Sequence, residues 1–176
     1  MRILSLFLIL SALLIAQVKA CELENIFKLY SNKDTALCFK QTVINSMSGQ
    51  SIVKNGRLTI KDKKYMVFDY KNERVVIDNF EAVDYLNGKK TIYKLNGFNK
   101  ILYLMFLGKK KFNELFFVKK KKNLYILEPK YQSNVDSVEL AFCKNSIDNL
   151  TIIDIYSNKT IYNFNDSYCK RTSKGD

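Results

Sequence analysis

Carboxylates and cysteines are the side chains in this sequence that could perform chemistry. Acidic residues stand close together at Glu22 and Glu24 and again at Asp78 and Glu81, and paired carboxylates can serve as general acid and base. The chain contains no histidine, which removes the commonest general base, the commonest metal ligand and most serine or cysteine triads. With 17 acidic residues among 29 basic ones, these carboxylates are better explained as surface ion pairs. The sequence therefore predicts a protein that is not an enzyme.

The four cysteines are Cys21, Cys38, Cys143 and Cys169. They do not form the Cys-x-x-Cys spacing of a zinc site or a redox dithiol, and the glycines are too scattered for a phosphate-binding loop. An even number of cysteines allows two disulfide bonds in any of three pairings, between which the sequence does not decide. We therefore expect disulfides among these four residues and neither a metal nor a cofactor.

Residues 1–20 have the layout of a secretory signal peptide. Arg2 supplies the positive region, Ile3–Ala16 is almost wholly apolar, and a small-x-small cleavage signal ends at Ala20. Because the apolar run is shorter than the ~20 residues of a bilayer-spanning helix, we expect cleavage between Ala20 and Cys21 and export to a compartment where disulfides form. In the alternative interpretation Cys21 is acylated and anchors a lipoprotein, although Lys19 is unusual two positions before such a cysteine.

The chain is strongly basic, with a formal net charge of +12 that falls to +10 when Arg2 and Lys19 leave with the signal. Such a charge favours anionic surfaces, including membranes rich in acidic lipid or an acidic partner. Nucleic acid is the usual partner of so basic a protein, but export argues against it. The length fits one globular domain, which we assign to residues 21–176 and expect to be a monomer.

The period of hydrophobicity predicts one helix, many strands and an insert. Residues 22–32 carry apolar side chains from Leu23 to Tyr30 at the spacing of a short amphipathic helix. From Thr35 the period changes to two, with short polar breaks such as the hairpin dipeptide Asn87-Gly88. Because the connections are too short for parallel crossovers, we predict an α+β fold: a curled antiparallel sheet of about ten strands, an incomplete β-barrel, with helices covering its concave face. The strand-like segments are 37–43, 58–61, 65–70, 74–78, 81–86, 90–95, 114–118, 123–128, 138–144, 151–156 and 160–165.

The segment Gly97–Gly108 interrupts the strand pattern with a continuous apolar run. Placed on a helix, part of the run forms the stripe of a core-facing helix, while Tyr103, Leu104 and Leu107 lie outside that stripe. A helix that is apolar almost all round must be buried on more than one side or contact a lipid-like ligand. As a membrane span it is too short. The stripe consists of Phe98, Ile101, Leu102, Met105 and Phe106.

The order of these motifs resembles the LolA family of periplasmic carriers of outer-membrane lipoproteins. The first strand of that family carries a Phe-x-Gln-Thr pattern, matched by Phe39-Lys40-Gln41-Thr42, and its next hairpin is similar to Gly56-Arg57-Leu58-Thr59-Ile60. The insert Gly97–Gly108 looks like the family's lid helix, and Leu127-Glu128-Pro129-Lys130 looks like its Leu-x-Pro-Lys strand. The resemblance covers residues 22–166, and its specificity lies in the order and spacing of the motifs.

The resemblance implies a carrier that binds the acyl chains of lipoproteins in a hydrophobic cavity. It would accept them from an inner-membrane lipoprotein-releasing transporter and pass them to an outer-membrane receptor. The lid would be the helix Phe98–Leu107 together with the helix Leu23–Tyr30, and inward-facing strand residues would form the cavity wall, although ordinary core residues show the same pattern. The alternative is a lipid-binding or sensor lipoprotein of similar fold, attached to a membrane through an acylated Cys21. The predicted wall consists of Leu37, Phe39, Leu58, Ile60, Met66 and Phe68, and the predicted lid face of Phe98, Ile101, Leu102, Met105 and Phe106.

Two positions depart from the family's pattern. The Arg-Pro pair that the family often carries before its aromatic strand, and which is credited with governing lid opening and release, aligns with Asp62-Lys63. Lys63 or Lys64 would have to take over part of that role. Phe80 stands in a turn that glycine usually occupies. We therefore expect the release of cargo to differ from that of the family.

Overall fold

The computed structural model describes residues 22–30, 34–95, 97–143 and 146–169. The predicted signal segment 1–20 and Cys21 lie outside this part of the chain, as does the side chain of Phe98. Cleavage after Ala20 and acylation of Cys21 therefore stay predictions.

One antiparallel sheet of eleven strands dominates the described part of the chain. Strands that follow one another are neighbours from β1 to β6 and again from β7 to β11, and β1 pairs with β11. Because β6 and β7 are the two edges and do not pair with each other, the sheet does not close, and the predicted architecture is confirmed. The strands are β1 Thr35–Ile44, β2 Ser51–Lys61, β3 Tyr65–Tyr70, β4 Glu73–Asp78, β5 Glu81–Leu86, β6 Lys89–Lys94, β7 Phe116–Lys121, β8 Leu124–Pro129, β9 Val135–Cys143, β10 Ser146–Asp154 and β11 Lys159–Phe164.

The strand boundaries differ most from the sequence prediction in β2 and β10. β2 begins at Ser51 because its first four residues, all exposed, extend the ladder with β1 without contributing to the alternation of buried side chains. β10 ends at Asp154, whose carboxylate accepts hydrogen bonds from the backbone N–H groups of Tyr156 and Asn158, each at 2.8 Å. The predicted turn at Asn87-Gly88 is confirmed, with φ angles of 49° and 78° that only this kind of dipeptide adopts readily.

Alternate residues of the strands build one apolar face, which we call the inner face. Phe39 lies within it with 0% exposure, and four aromatic rings surround it at centroid distances of 5.3–6.2 Å. Gly56 stands opposite Phe39 in the register of β1 and β2, and a Cβ atom there would lie 2.6 Å from the Phe39 ring. Glycine therefore allows the ring to lie directly on the sheet. The four surrounding rings belong to Phe68, Tyr70, Tyr162 and Phe164.

Three helices pack against the inner face: α1 over residues 22–30, α2 Gly97–Phe106 and α3 Phe112–Leu115. The ring of Phe27 in α1 lies 5.3 Å from that of Phe106 and 4.9 Å from that of Phe112. Because these rings join all three helices, the helices form one layer with a shared core. The helices of the described residues lack the length and apolar content that a bilayer crossing requires.

A disulfide bond joins Cys38 of β1 to Cys169. The backbone N–H of Asn165 also donates to the carbonyl of Cys38 at 2.9 Å, so the chain after β11 is fixed to β1 twice. Cys143 is exposed and is not bonded to another described cysteine, while Cys21 lies outside the described residues. The structure thus shows one bridge among the pairings that the sequence left open.

Candidate functional site

The helix α2 is buried on more than one side, as its sequence predicts. Within the predicted stripe, Ile101 is partly buried, and Leu102, Met105 and Phe106 are almost fully buried. The residues outside the stripe are buried as well, because α1 and α3 cover the side of α2 that the sheet does not. The buried residues of the segment are Leu102, Tyr103, Leu104, Met105, Phe106 and Leu107, with exposures of 0–6%.

A left-handed glycine ends the α2 segment. Gly108 has a φ angle of 59°, its backbone N–H donates to the carbonyl of Met105 at 3.1 Å, and that of Lys109 donates to the carbonyl of Leu104 at 3.0 Å. This arrangement satisfies carbonyls at the end of the helix and turns the chain toward solvent. The three lysines that follow, Lys109–Lys111, are exposed.

The hydroxyl of Tyr103 ties α2 to two turns of the sheet. It donates to the backbone carbonyl of Lys64 at 2.9 Å and accepts from the backbone N–H of Asn79 at 3.0 Å and from the Lys109 ammonium at 3.0 Å. We call this hydroxyl with its three partners the latch. Phe80 follows Asn79 with a φ angle of 66°, and its ring packs on that of Tyr103 at 5.2 Å, which explains why a phenylalanine stands where the family usually has glycine.

Lys63 and Lys64 lie in the turn between β2 and β3, next to the latch. The Lys64 ammonium lies 4.0 Å from the carboxylate of Asp78, and both side chains are exposed, so this pair contributes little to stability. The turn contacts α2 through the backbone of Lys64 rather than through an ammonium group. Sequence reasoning missed this contact because any residue supplies the same carbonyl.

A cavity of about 110 Å³ lies between α2 and the inner face. The apolar part of its wall comes from β3, β4 and β6, and α2 contributes Asn99 and Leu102. A cavity of this size is too small for a whole acyl chain. The lining residues are Met66, Phe68, Tyr70, Glu73, Val75, Ile77, Tyr93, Leu95, Asn99, Leu102 and Tyr162.

The residues predicted to form a cavity wall all lie on the inner face, but only two of them line this cavity. Met66 and Phe68 are in the lining. The others pack in the core around it, where Phe39, Leu58 and Ile60 are 0–1% exposed and Leu37 is partly buried. In this closed arrangement the protein's own side chains fill the space beside the cavity.

One end of the cavity is polar, and sequence reasoning missed it. Tyr70, Tyr93 and Tyr162, which we call the tyrosine cluster, come from β3, β6 and β11. The Tyr162 hydroxyl accepts from the Gln41 side-chain amide at 3.0 Å, and Glu73 lines the same end. The signal was available, since each tyrosine stands at an inward position of its strand, but nothing in the sequence showed that three distant strands converge.

The tyrosine hydroxyls stay protonated at neutral pH. Burial raises the pKa of Tyr162 to about 12. Burial, followed by the proximity of Tyr162 and Glu73, also raises the pKa of Tyr70. Burial and then the charges of Asp84 and Glu73 raise that of Tyr93. The cluster therefore offers hydrogen-bond donors and aromatic faces at the polar end of an otherwise apolar cavity.

We expect Tyr162→Phe to remove a phenol that ionises near pH 12. Tyr131→Phe, at a 66% exposed side chain, is the control. The pKa of Tyr162 in the folded protein exceeds its value of about 10 in the unfolded chain. Its contribution to the free energy of unfolding is therefore complete below pH ~10. Between pH ~10 and 12 this contribution falls by about 1.4 kcal/mol per pH unit. Ultraviolet titration of phenolate measures the first effect, and urea unfolding against pH measures the second. Identical titration of the two variants would contradict the burial of Tyr162.

The carboxylate pairs singled out in the sequence serve structural contacts. Glu22 forms an ion pair with Lys120 at 2.8 Å, and this hydrogen bond holds the pKa of Glu22 below its usual range. Glu24 accepts from the backbone N–H of Phe112 at 3.2 Å, which ties α1 to α3. Asp78 and Glu81 stand opposite each other at the turn between β4 and β5. Among the described residues, histidine, cysteine and carboxylate side chains form no cluster that could hold a metal ion.

One family model and several solved structures match this chain. The family model described as "Outer membrane lipoprotein carrier protein LolA" matches residues 32–174. Among curated proteins no relative matches. The structure is similar to a DUF1329 family protein from Desulfovibrio piger, at TM-score 0.48 and 8% identity over 86% of this chain and 91% of that one. It is also similar to a LolA superfamily protein from Nitrosomonas europaea, at TM-score 0.47 and 6% identity over 86% of this chain and 91% of that one. A putative outer membrane lipoprotein-sorting protein domain from Vibrio parahaemolyticus matches at TM-score 0.45 and 11% identity, over 86% of this chain and 92% of that one.

Proposed function

Since the chain belongs to the LolA family of outer-membrane lipoprotein carriers, we propose that it binds the acyl chains of lipoproteins on its inner face, beneath a lid formed by α2 and α1. One observation carries the proposal. A helix that is apolar almost all round occupies the inner face and leaves a small cavity beside it. Such a carrier forms and breaks no covalent bond, so its chemistry is the exchange of one apolar surface for another.

The exchange is close to balanced in free energy. Exposing the six buried large side chains of the α2 segment costs about 12 kcal/mol at about 2 kcal/mol each. An acyl chain of about fifteen methylenes contributes about 12 kcal/mol when it leaves water at ~0.8 kcal/mol per methylene. The lid and the cargo therefore compete for the same surface on similar terms, and release does not require breaking a tight complex.

The proposed route runs through the periplasm, from an inner-membrane lipoprotein-releasing transporter to an outer-membrane receptor. The signal-like segment 1–20 supports export, and the Cys38–Cys169 bond fits an oxidising compartment. Lys63 and Lys64 are our candidates for a role in release, because their turn is one of the two to which the latch holds α2.

The cavity itself gives the test. Val75 lines the cavity, and its neighbour Val76 faces the other side of β4. We expect Val75→Phe to fill much of the cavity and to weaken binding of a fluorescent fatty-acyl probe about tenfold, while Val76→Phe leaves binding unchanged.

The measurement is probe fluorescence with circular dichroism on both variants. If the wild-type protein does not bind the probe, the proposed function is wrong. If both variants bind as the wild type does, acyl chains do not enter at this cavity.

A further inference from the structure

We propose that the polar end of the cavity binds the ammonium group of an amphiphile, between the tyrosine cluster and the carboxylates of Glu73 and Asp84. This inference rests on the proposed function, because it assumes that the apolar chain of the same molecule lies on the inner face. It adds the chemistry of the head group, for which the carrier fold alone gives no preference.

The first argument is the local charge. The whole chain carries a formal net charge of +12, yet the charged residue in the lining of the cavity is the carboxylate Glu73. Glu73 lines the cavity, and Asp84 stands directly opposite Val75 of the lining in the register of β4 and β5. The nearby cation is Lys54, which pairs with Glu73 at 2.7 Å. A site of net negative charge within a basic protein is selective for a cation.

The second argument is that one carboxylate oxygen at this site is unsatisfied. Oδ1 of Asp84 is buried and has no hydrogen-bond partner among the described residues. A buried acceptor without a donor is destabilising, so a ligand that brings a donor binds more tightly. An ammonium group brings three donors, whereas an ester brings none.

The third argument is that an ammonium group already occupies part of the site. The Lys54 ammonium lies 5.4 Å from the centre of the Tyr70 ring as well as on Glu73. Aromatic faces next to carboxylates are the usual surroundings of a bound alkylammonium. The Lys54 side chain is 49% exposed, so it can move into solvent and leave the same contacts to a ligand.

Amphiphiles that differ only in the head group test the inference. We expect decylammonium to bind the mature protein about tenfold more tightly than decanol, and decanoate to bind more weakly than decanol, although the net charge of the protein would favour decanoate. Competition with the fluorescent acyl probe measures all three affinities.

Variants separate the site from the overall charge. We expect the double variant Glu73→Gln and Asp84→Asn to bind decylammonium and decanol with equal affinity, and Lys54→Met to strengthen decylammonium binding. Glu128→Gln and Lys119→Met are the controls, because this exposed pair has the same geometry at 2.6 Å on the far edge of the sheet. Neither control should alter the preference.

Two biological sources supply such a head group: the ethanolamine of a phospholipid, and the free α-amino group of an acylated polypeptide. Lysophosphatidylethanolamine and an S-palmitoylated peptide, each compared with its N-acetylated form, distinguish them, since acetylation removes the charge and keeps the chain.

If acetylation of the phospholipid or of the peptide lowers its affinity, the result supports the ammonium site and identifies which of the two molecules supplies the head group. Equal binding of ammonium, alcohol and carboxylate overturns this inference and leaves the carrier function standing. Failure of decanol and of both chain-bearing ligands to bind overturns both.

Discussion

Replacing both members of the disulfide, in the double variant Cys38→Ala and Cys169→Ala, should lower the free energy of unfolding by about 4 kcal/mol. The bond closes a loop with a sequence separation of 131 residues, and the loss of unfolded-state entropy grows with the length of the closed loop. Since a domain of this size has a total stability of about 5–15 kcal/mol, the variant should be marginally stable. Urea unfolding of the mature protein measures the change.

Reduction gives the control for this experiment. Dithiothreitol should shift the urea midpoint of the wild type to that of the double variant and leave the double variant itself unchanged. Peptide mapping of the oxidised protein should recover the fragment of Cys38 linked to that of Cys169. An unchanged midpoint on reduction, or a linkage of Cys38 to Cys143, would contradict the pairing seen in the structure.

The sequence predicted the fold well because period two in hydrophobicity depends on one local property, the alternation of side chains across a strand. Where one face of a strand is buried, as from Leu58 to Ile60, the pattern is visible. In the first half of β2, where both faces are exposed, it is absent and the strand start was placed too late. The burial of α2 on several sides was predictable for a similar reason, since Tyr103, Leu104 and Leu107 fall outside any single stripe.

The polar end of the cavity could not be predicted from the same pattern. Tyr162 comes beside Tyr70 because β1 pairs with β11 and brings the last strand beside the first. Tyr93 belongs to the same sheet through the successive pairings from β3 to β6. The pairing of β1 with β11 joins strands that are far apart in the sequence, so no local sequence pattern indicates it. The latch is likewise formed by backbone groups of Lys64 and Asn79, which carry no side-chain signature. Phe80 is a departure from the family that the sequence shows, but its ring contact with Tyr103 depends on tertiary packing.

Tyr103→Phe should open the lid without unfolding the sheet. The substitution keeps the buried ring and removes the hydroxyl, so the N–H of Asn79 and the carbonyl of Lys64 lose their partner. An unsatisfied group of this kind costs about 1–3 kcal/mol, and only the closed state bears this cost, because both groups meet water when α2 moves away. The open population should therefore rise about 5- to 150-fold.

Hydrogen exchange distinguishes lid opening from general destabilisation. In Tyr103→Phe the amides of α2 should exchange about 5- to 150-fold faster, and the fluorescent acyl probe should bind faster. The amides of Leu140 and Leu150 should keep their wild-type rates. Tyr65→Phe is the matched control, because its hydroxyl donates to Asp62 at 3.0 Å at the same turn without contacting α2. Equal acceleration throughout the sheet would mean that α2 opens only when the domain unfolds. A helix of that kind is part of the core, and the inner face would then admit a ligand only through the cavity beside it, so the lid would have to be sought in α1.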